Sequence, residues 1–428
     1  MRNHARLSYP LKANHFGAHL LFRINVFQPF KVKSFRFQWP ADLMTSWAFE
    51  MEILILGWYV IVETQSVLSL TLFASLQWLG TLLAPYLGAL GDRLSRRTLL
   101  CSLRLIYLIL SLALMTLALT QSLEPIHVYV VSLLAGLVRP SDLVMRNGLI
   151  GDTISGSKLM SAMGLSRTTM DTARIMGALF GAGLFSLFGL GVAYIMVSLF
   201  YAISFLLTLG VSGIKTNPVG VNSKIQDSVF FNLKEGLIYV WRTPALSAAM
   251  WLAFLVNLTV FPVSHGILPY VAKSIYQVDE SGLSLLVASY AFGALLGSIT
   301  IVLIKLKKKP ARFMIINIFL MHLLIIVFAH IETKLGGQIL LFFSGYIQSL
   351  AMISLVVTLL AVASEKFRGL VMGVRMMAVY GLPLGLMFSG FLIEYLGYDW
   401  SVMLYGVIGL ILSALVTFKW RHDILVEQ

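Results

Sequence analysis

Ionisable residues interrupt the long apolar runs of this 428-residue chain. A charge in such a setting is costly, so it usually faces an interior cavity or pairs with another charge. Arg139 and Arg174 lie deepest, each near the middle of an apolar run. An arginine in a cavity can hold an anionic group through paired, charge-assisted hydrogen bonds. We therefore predict that Arg139 and Arg174 contact a ligand, and that this ligand is anionic.

Carboxylates in the same runs are candidates for binding and releasing a proton. Glu50 and Glu52 belong to the first run, and helix geometry directs them about 200° apart, so they cannot face one cavity. Asp171 precedes Arg174 by three residues and shares its helix face. We predict Glu50 as the main proton-coupling residue, with Glu52 and Asp171 as alternatives. Permanent pairing of each carboxylate with an arginine is the other interpretation.

Uncharged polar residues of the C-terminal part extend the predicted ligand cavity. Pro262 and Pro269 interrupt one apolar run and predict a discontinuous helix there. Asn257 lies on that run, and Tyr290 and Gln348 lie within later runs. We predict that these three side chains contact the ligand.

We expect neither a metal nor a cofactor. The chain has one cysteine, which excludes a cysteine-based zinc site. The patterns G-x-x-x-x-G-K-[ST], G-x-S-x-G and H-E-x-x-H are absent, so ATP hydrolysis, serine hydrolysis and zinc peptidase chemistry are not expected. We predict that the protein is not an enzyme.

The elements that must position these residues are membrane helices. Hydrophobic residues make up 58% of the chain and charged residues 12%, whereas soluble proteins average about 25% charged residues. Twelve apolar runs are long enough to span a bilayer, and lipid requires them to be helical. They cover residues 41–62, 67–90, 98–120, 127–148, 162–187, 190–212, 245–272, 282–304, 312–331, 337–362, 370–394 and 398–419.

Basic residues cluster in alternate connections between these runs. With the N-terminus inside, the inner connections hold almost all of them, while the outer connections keep Lys273 and Lys334. This asymmetry predicts that both termini are cytoplasmic. The net charge of +13 follows from this topology, so we expect membrane lipid and no nucleic acid as a partner.

The longest inner connection separates six runs from six runs. We predict an all-α polytopic membrane protein of twelve transmembrane helices in two six-helix halves, residues 37–212 and 245–420. A basic cytoplasmic tail covers 1–36, a cytoplasmic linker covers 213–244, and a short tail covers 421–428. This is the layout of secondary transporters built from repeats, which move a small-molecule substrate by alternating access.

The connection between the second and third runs reads GALGDRLSRR over residues 88–97. It resembles the signature G-x-L-x-D-R-x-G-R-R/K of major facilitator superfamily transporters, with Ser95 where glycine is usual. The resemblance implies a charged clasp that stabilises one state of a rocking bundle. We predict that this conformational gate comprises Gly88, Asp92, Arg93, Arg96, Arg97, Asp142 and Arg146.

Two further stretches narrow the resemblance, DTARIMGALFGAG at 171–183 and EKFRGLVMGVRMMAVYGLPLG at 365–385. They are similar to glycine-rich segments of spans five and eleven in that superfamily. The resemblance implies close helix packing at Gly177, Gly181, Gly381 and Gly385. Ala178 stands where drug/proton antiporters carry a proline, so this segment does not itself indicate antiport.

Together these stretches resemble bacterial secretion transporters that include the enterobactin exporter and drug exporters. The resemblance implies a proton-coupled exporter of a small, siderophore-like anion, acting as a monomer in the bacterial cytoplasmic membrane. Two alternatives stay open. The protein could be a broad multidrug exporter, or an importer of a metabolite or a loaded siderophore.

Overall fold

The computed structural model describes residues 28–82, 95–154, 157–212, 225–304 and 309–424. All regular elements within these ranges are helices, and no strand occurs among them. The prediction of an all-α protein is confirmed. The first half comprises a short turn of helix at Gln28–Lys31, then α1 Lys33–Thr64, α2 Val67–Leu76 with a further turn at Leu79–Leu82, α3 Arg96–Leu119, α4 Pro125–Thr153 and α5 Ser157–Leu209.

The second half begins with a helix in the connection between the halves. Its elements are α6 Ile225–Arg242, α7 Pro244–Thr259 with helical turns continuing to Ile275, α8 Glu280–Ile304, α9 Pro310–Phe328, α10 Lys334–Val362, a turn at Glu365–Phe367, α11 Arg368–Ala378, α12 Gly381–Leu396, α13 Tyr398–Lys419 and α14 Arg421–Ile424.

Ten helices among the described residues are long and apolar enough to cross a membrane. One of them, Ser161–Leu209, has 49 residues, which at 1.5 Å per residue is more than twice the thickness of a hydrocarbon core of about 30 Å. It contains a break at Gly189, whose φ of 79° only glycine adopts readily, and therefore forms two crossings. With the shorter apolar helix Val67–Thr81, the structure supports the predicted twelve-span architecture.

The first span begins earlier than the sequence indicated. α1 starts at Lys33, whereas the prediction placed the start at 41 and the end of the tail at 36. The Phe30 ring meets Phe35 and Trp39 edge to face, with its centroid 5.2 Å from that of Phe35 and 5.3 Å from that of Trp39. Because Phe35 is fully buried, this aromatic cluster fixes the first turns of α1 to the bundle.

The predicted linker, 213–244, contains an ordered helix rather than only a polar connection. α6 packs against the start of α11, where Gly236 lies beside Leu370. The ring of Tyr239 stacks on Phe367 with centroids 4.2 Å apart. Residues 213–224 lie outside the described part of the chain.

The two halves contact each other from the α1–α2 connection to the middle of the bundle. Lys273 donates to the carbonyl oxygen of Ile61 at 2.8 Å, next to the end of α1. Deeper in the bundle, the Ser75 hydroxyl donates to Pro383 at 3.2 Å and the Tyr380 hydroxyl donates to Leu79 at 2.5 Å. α5 also packs along α8, so residues on these helices can form a site shared by both halves.

Candidate functional site

Glu50 of α1 and Arg174 of α5 form an ion pair that remains partly exposed. The Arg174 Nε atom lies 3.7 Å from a Glu50 carboxylate oxygen, and the side chains are 35% and 16% exposed. Close approach of the two helices brings the residues together. A Cβ atom on Gly177 would lie 2.7 Å from the Glu50 Cβ, and one on Gly181 would lie 3.1 Å from the Met51 Cα.

Residues of the C-terminal half lie across the interface from this pair. α5, which carries Arg174, packs along α8, which carries Tyr290, and His265 follows α7. The rings of His265 and Tyr290 meet edge to face with centroids 5.9 Å apart, and His265 Nδ1 lies 2.8 Å from the Ser264 hydroxyl. Tyr290 also lines a narrow cavity with Ser264 and Gln348. The structure therefore places Glu50, Arg174 and Tyr290 around one interdomain region.

Arg139 lies in a second cluster, inside the N-terminal half. It makes an ion pair with Glu52 at 3.4 Å and donates to the Gln77 side chain at 3.1 Å. The Tyr201 hydroxyl donates to the same Glu52 oxygen atom at 3.0 Å. The guanidinium carbon of Arg139 also lies 3.3 Å from the centroid of the Phe49 ring. Arg139 and Arg174 thus belong to separate clusters, and each is paired with a carboxylate.

A third cluster lies buried between α1, α3 and α4. Arg146 contacts an Asp142 oxygen at 2.5 Å and an Asp42 oxygen at 3.7 Å. Arg104 pairs with Asp42, lies 3.9 Å from Asp142 and donates to the Thr208 hydroxyl. We call these four charged residues, Asp42, Arg104, Asp142 and Arg146, the buried tetrad. Its two acids and two bases balance in charge.

The tetrad includes two of the residues predicted for the conformational gate. Asp142 and Arg146 were grouped with the conformational gate, and the structure places both inside the tetrad. Arg139 precedes Asp142 by three residues on α4, yet its carboxylate partner is Glu52 of α1. Arg104 was missed, although an arginine in the run LLCSLRLIYLIL is a visible signal. Its side chain is fully buried.

Of the five remaining gate residues, two lie in the described part of the chain. Gly88, Asp92 and Arg93 lie outside the described residues. Arg96 makes an ion pair with Asp152 at 3.1 Å. Arg97 donates to the Leu209 carbonyl oxygen at 2.5 Å. Both arginines therefore connect the start of α3 to the ends of neighbouring helices.

The other predicted residues have packing or surface contacts. Asp171 pairs at 3.3 Å with Arg167, whose side chain is 70% exposed. Asn257 is buried, and its amide donates to the Ala253 carbonyl oxygen at 2.9 Å. Gly381 and Gly385 lie against α7, where a Cβ on Gly381 would lie 3.1 Å from the Asn257 Cβ. Asn257 therefore lies at the contact between α7 and α12.

The chemistry that these clusters support is ion pairing and proton exchange. No group of three or more His, Cys, Asp or Glu residues suited to a metal ion occurs in the described ranges. A partly exposed carboxylate held by one arginine can exchange that partner for a proton, while the arginine binds another anion. Among the three clusters, the Glu50–Arg174 pair is the most exposed.

Comparisons with known proteins agree on the fold. The sequence profile described as Major Facilitator Superfamily matches residues 41–382. No curated protein sequence matches the chain significantly.

Among solved structures, a nucleoside transporter, NupG, is similar with a TM-score of 0.67 and 16% identity, covering 92% of this chain and 99% of that one. A POT family transporter in complex with a thioalcohol-conjugated peptide has a TM-score of 0.73 and 11% identity, covering 92% and 96%. A bacterial homologue of the human lysosomal transporter Spinster, in an inward-facing and unoccupied conformation, has a TM-score of 0.67 and 13% identity, covering 90% and 98%.

Proposed function

Because this chain belongs to the major facilitator superfamily and is a secondary transporter of that type, not an enzyme, we propose that protons drive it and that Glu50 carries the proton. The observation that supports this proposal is the Glu50–Arg174 pair, loosely held at 3.7 Å beside the C-terminal half. Protonation of Glu50 removes its charge and frees Arg174. Such a switch alters the contacts between the halves, as coupling requires.

We propose that the substrate is a small organic anion. Arg174 has the most exposed side chain of the interior arginines in the three clusters, and its only described carboxylate contact is the long one to Glu50. A carboxylate or catecholate can replace Glu50 on the guanidinium through charge-assisted hydrogen bonds. A siderophore-like anion, which the sequence resemblance implies, has this chemistry.

The pair also determines the sign of coupling for a given substrate charge. An anion that takes the place of Glu50 favours protonation of the released carboxylate, so the proton and the anion bind to the same state. Such coupling favours uptake along an inward proton gradient. Export of an anion by proton antiport needs the proton and the anion to exclude each other, which this pair alone does not provide.

A second candidate is export of a cationic or amphiphilic compound. A cation would bind ionised Glu50, and protonation would release it, which gives antiport. Trp47 supports this candidate because it stacks on Phe180 at 5.9 Å and contacts Phe200 at 6.0 Å, forming an aromatic surface one helical turn from Glu50. The Trp47 indole N–H has no hydrogen-bond partner among the described residues.

Metabolite profiling of the medium and cytoplasm, with and without the gene and under iron limitation, would identify the substrate. The purified protein would then be tested in proteoliposomes with that substrate. We expect Glu50→Gln to lose uphill, proton-driven transport by at least about tenfold while retaining counterflow exchange. Undiminished uphill transport by this variant would refute proton coupling through Glu50.

We further propose the bacterial cytoplasmic membrane as the location, with both termini inside, because the basic residues are so unevenly distributed. Reporter fusions at Asp279 and Lys224 should report opposite sides of the membrane. The same side for both would contradict this orientation.

A further inference from the structure

An open groove of about 460 Å³ lies at one edge of the C-terminal half, away from the three charge clusters. It lies between the beginning of α7 and the end of α13, with the last turn of α6 beside them. Its lining consists of Trp241, Pro244, Ser247, Trp251, Leu415, Val416, Lys419 and Trp420.

The groove changes from polar to apolar along its length. Lys419 is the last residue of α13, and Leu415 lies one turn deeper in that helix. Trp251 lies seven residues after Pro244 in α7, a distance of about 10 Å along the helix axis. The deep end is therefore formed by Leu415 and Trp251, whose side chains are apolar and which are 59% and 41% exposed.

The shallow end carries positive charge. No described carboxylate forms a salt bridge with Lys419, whose ammonium group lies 4.4 Å from the ring centroid of Trp420. Arg421 follows closely and lies over the Phe418 ring at 4.7 Å. Arg242, also exposed, lies in the last turn of α6. Trp241, which is 72% exposed, lies beside it.

We propose that this groove binds one anionic phospholipid. The phosphate group would contact Lys419, and the acyl chains would lie along Trp251 and Leu415. Tryptophan side chains and basic residues are favoured at the boundary between lipid and water, and a basic site there attracts anionic headgroups. A charged end that continues into an apolar groove fits an amphipathic lipid better than a soluble anion, which would leave the deep end unoccupied.

This lipid would also hold the end of α6 against α7 and α13. α6 connects the two halves, and its opposite contacts are already made by Tyr239 with Phe367 and by Gly236 with Leu370. A bound lipid would therefore stabilise the position of the interdomain helix. The proposal is independent of the substrate and of proton coupling.

Native mass spectrometry of the purified full-length protein can test the proposal with phosphatidylglycerol and phosphatidylcholine of identical acyl chains. We expect one phosphatidylglycerol molecule to be retained in preference to phosphatidylcholine. Lys419→Gln should weaken phosphatidylglycerol binding about fivefold, in keeping with one lysine near a headgroup, and leave phosphatidylcholine binding unchanged.

Lys366→Gln is the matched control. Lys366 is also exposed beside an aromatic ring, 5.4 Å from the Phe367 centroid, but does not line the groove. The Lys366→Gln variant should bind phosphatidylglycerol like the wild type. Equal retention of both lipids, equal loss in the two lysine variants, or displacement of the lipid by millimolar inorganic phosphate would each overturn the proposal.

Discussion

The buried tetrad and the Glu50–Arg174 pair use the same kinds of charged groups in opposite ways. In the tetrad, the side-chain exposures are at most 8%, and each charge contacts at least two polar partners. In the pair, Arg174 is 35% exposed and its Glu50 contact is 3.7 Å long. A buried network in which every charge has at least two partners holds three helices together, whereas a single, partly exposed pair at the interface can exchange partners. Burial and the number of partners therefore separate structural charges from candidate functional ones.

The largest expected effect comes from breaking the tetrad. Arg104→Met leaves Asp42 and Asp142 with less positive charge in a buried site, and loss of one member of such a pair costs about 3–5 kcal/mol. We expect low abundance in the membrane and a reduced Tm of the solubilised protein. Arg174→Met is the matched control and should stay close to wild type in both measurements. Equal Tm losses for the two variants would remove the distinction between the clusters.

The difference between the buried tetrad and the Glu50–Arg174 pair could not be predicted from the sequence. Apolar length revealed most spans, because a bilayer imposes that length on every helix. The charges within spans were also visible, and Arg104 satisfied the rule that identified Arg139 and Arg174. Their partners were not visible, because pairing depends on helix rotation and on which helices are neighbours. Arg139 has Asp142 one turn away, yet it pairs with Glu52 on α1.

The boundaries that sequence missed have local causes. α1 extends to Lys33 because Phe30, Phe35 and Trp39 pack together before the uniformly apolar part begins. α6 has polar residues within its 18 residues, so it was not predicted as a span, and contacts with α11 stabilise it. Such tertiary contacts override local composition.

An intermediate effect is expected from a change that preserves charge at the pair. Arg174→Lys keeps the cation but loses the planar group that can bind a carboxylate through two hydrogen bonds. We expect about tenfold weaker binding of the identified anion, corresponding to the strength of one charge-assisted hydrogen bond, with normal abundance. Isothermal titration of the purified variant would measure it. Wild-type affinity would assign Arg174 to packing alone.

The smallest effect is expected at the contact between the halves. Lys273 donates to the Ile61 carbonyl at 2.8 Å and to that of Val62 at 3.4 Å, so it caps the last turn of α1 from the other half. A cation at a helix C-terminus contributes roughly 0.3–1 kcal/mol. Lys273→Met should therefore shift the conformational equilibrium by about two- to fivefold, measurable by labelling of single cysteines introduced on either side of the contact. Lys334→Met, at the start of α10, should leave that equilibrium unchanged, and an equal shift in both variants would contradict a specific contact.

The pH dependence of substrate affinity measures whether Glu50 links proton binding to the substrate through Arg174. For an anionic substrate, wild-type affinity should increase as the pH falls, by up to about tenfold per pH unit, because one proton is bound with each anion. Glu50→Gln should bind the anion with an affinity independent of pH, and Glu52→Gln should keep the wild-type dependence. A Glu50→Gln protein whose affinity still changes with pH as the wild type does would exclude Glu50 as the residue that couples the proton to the substrate.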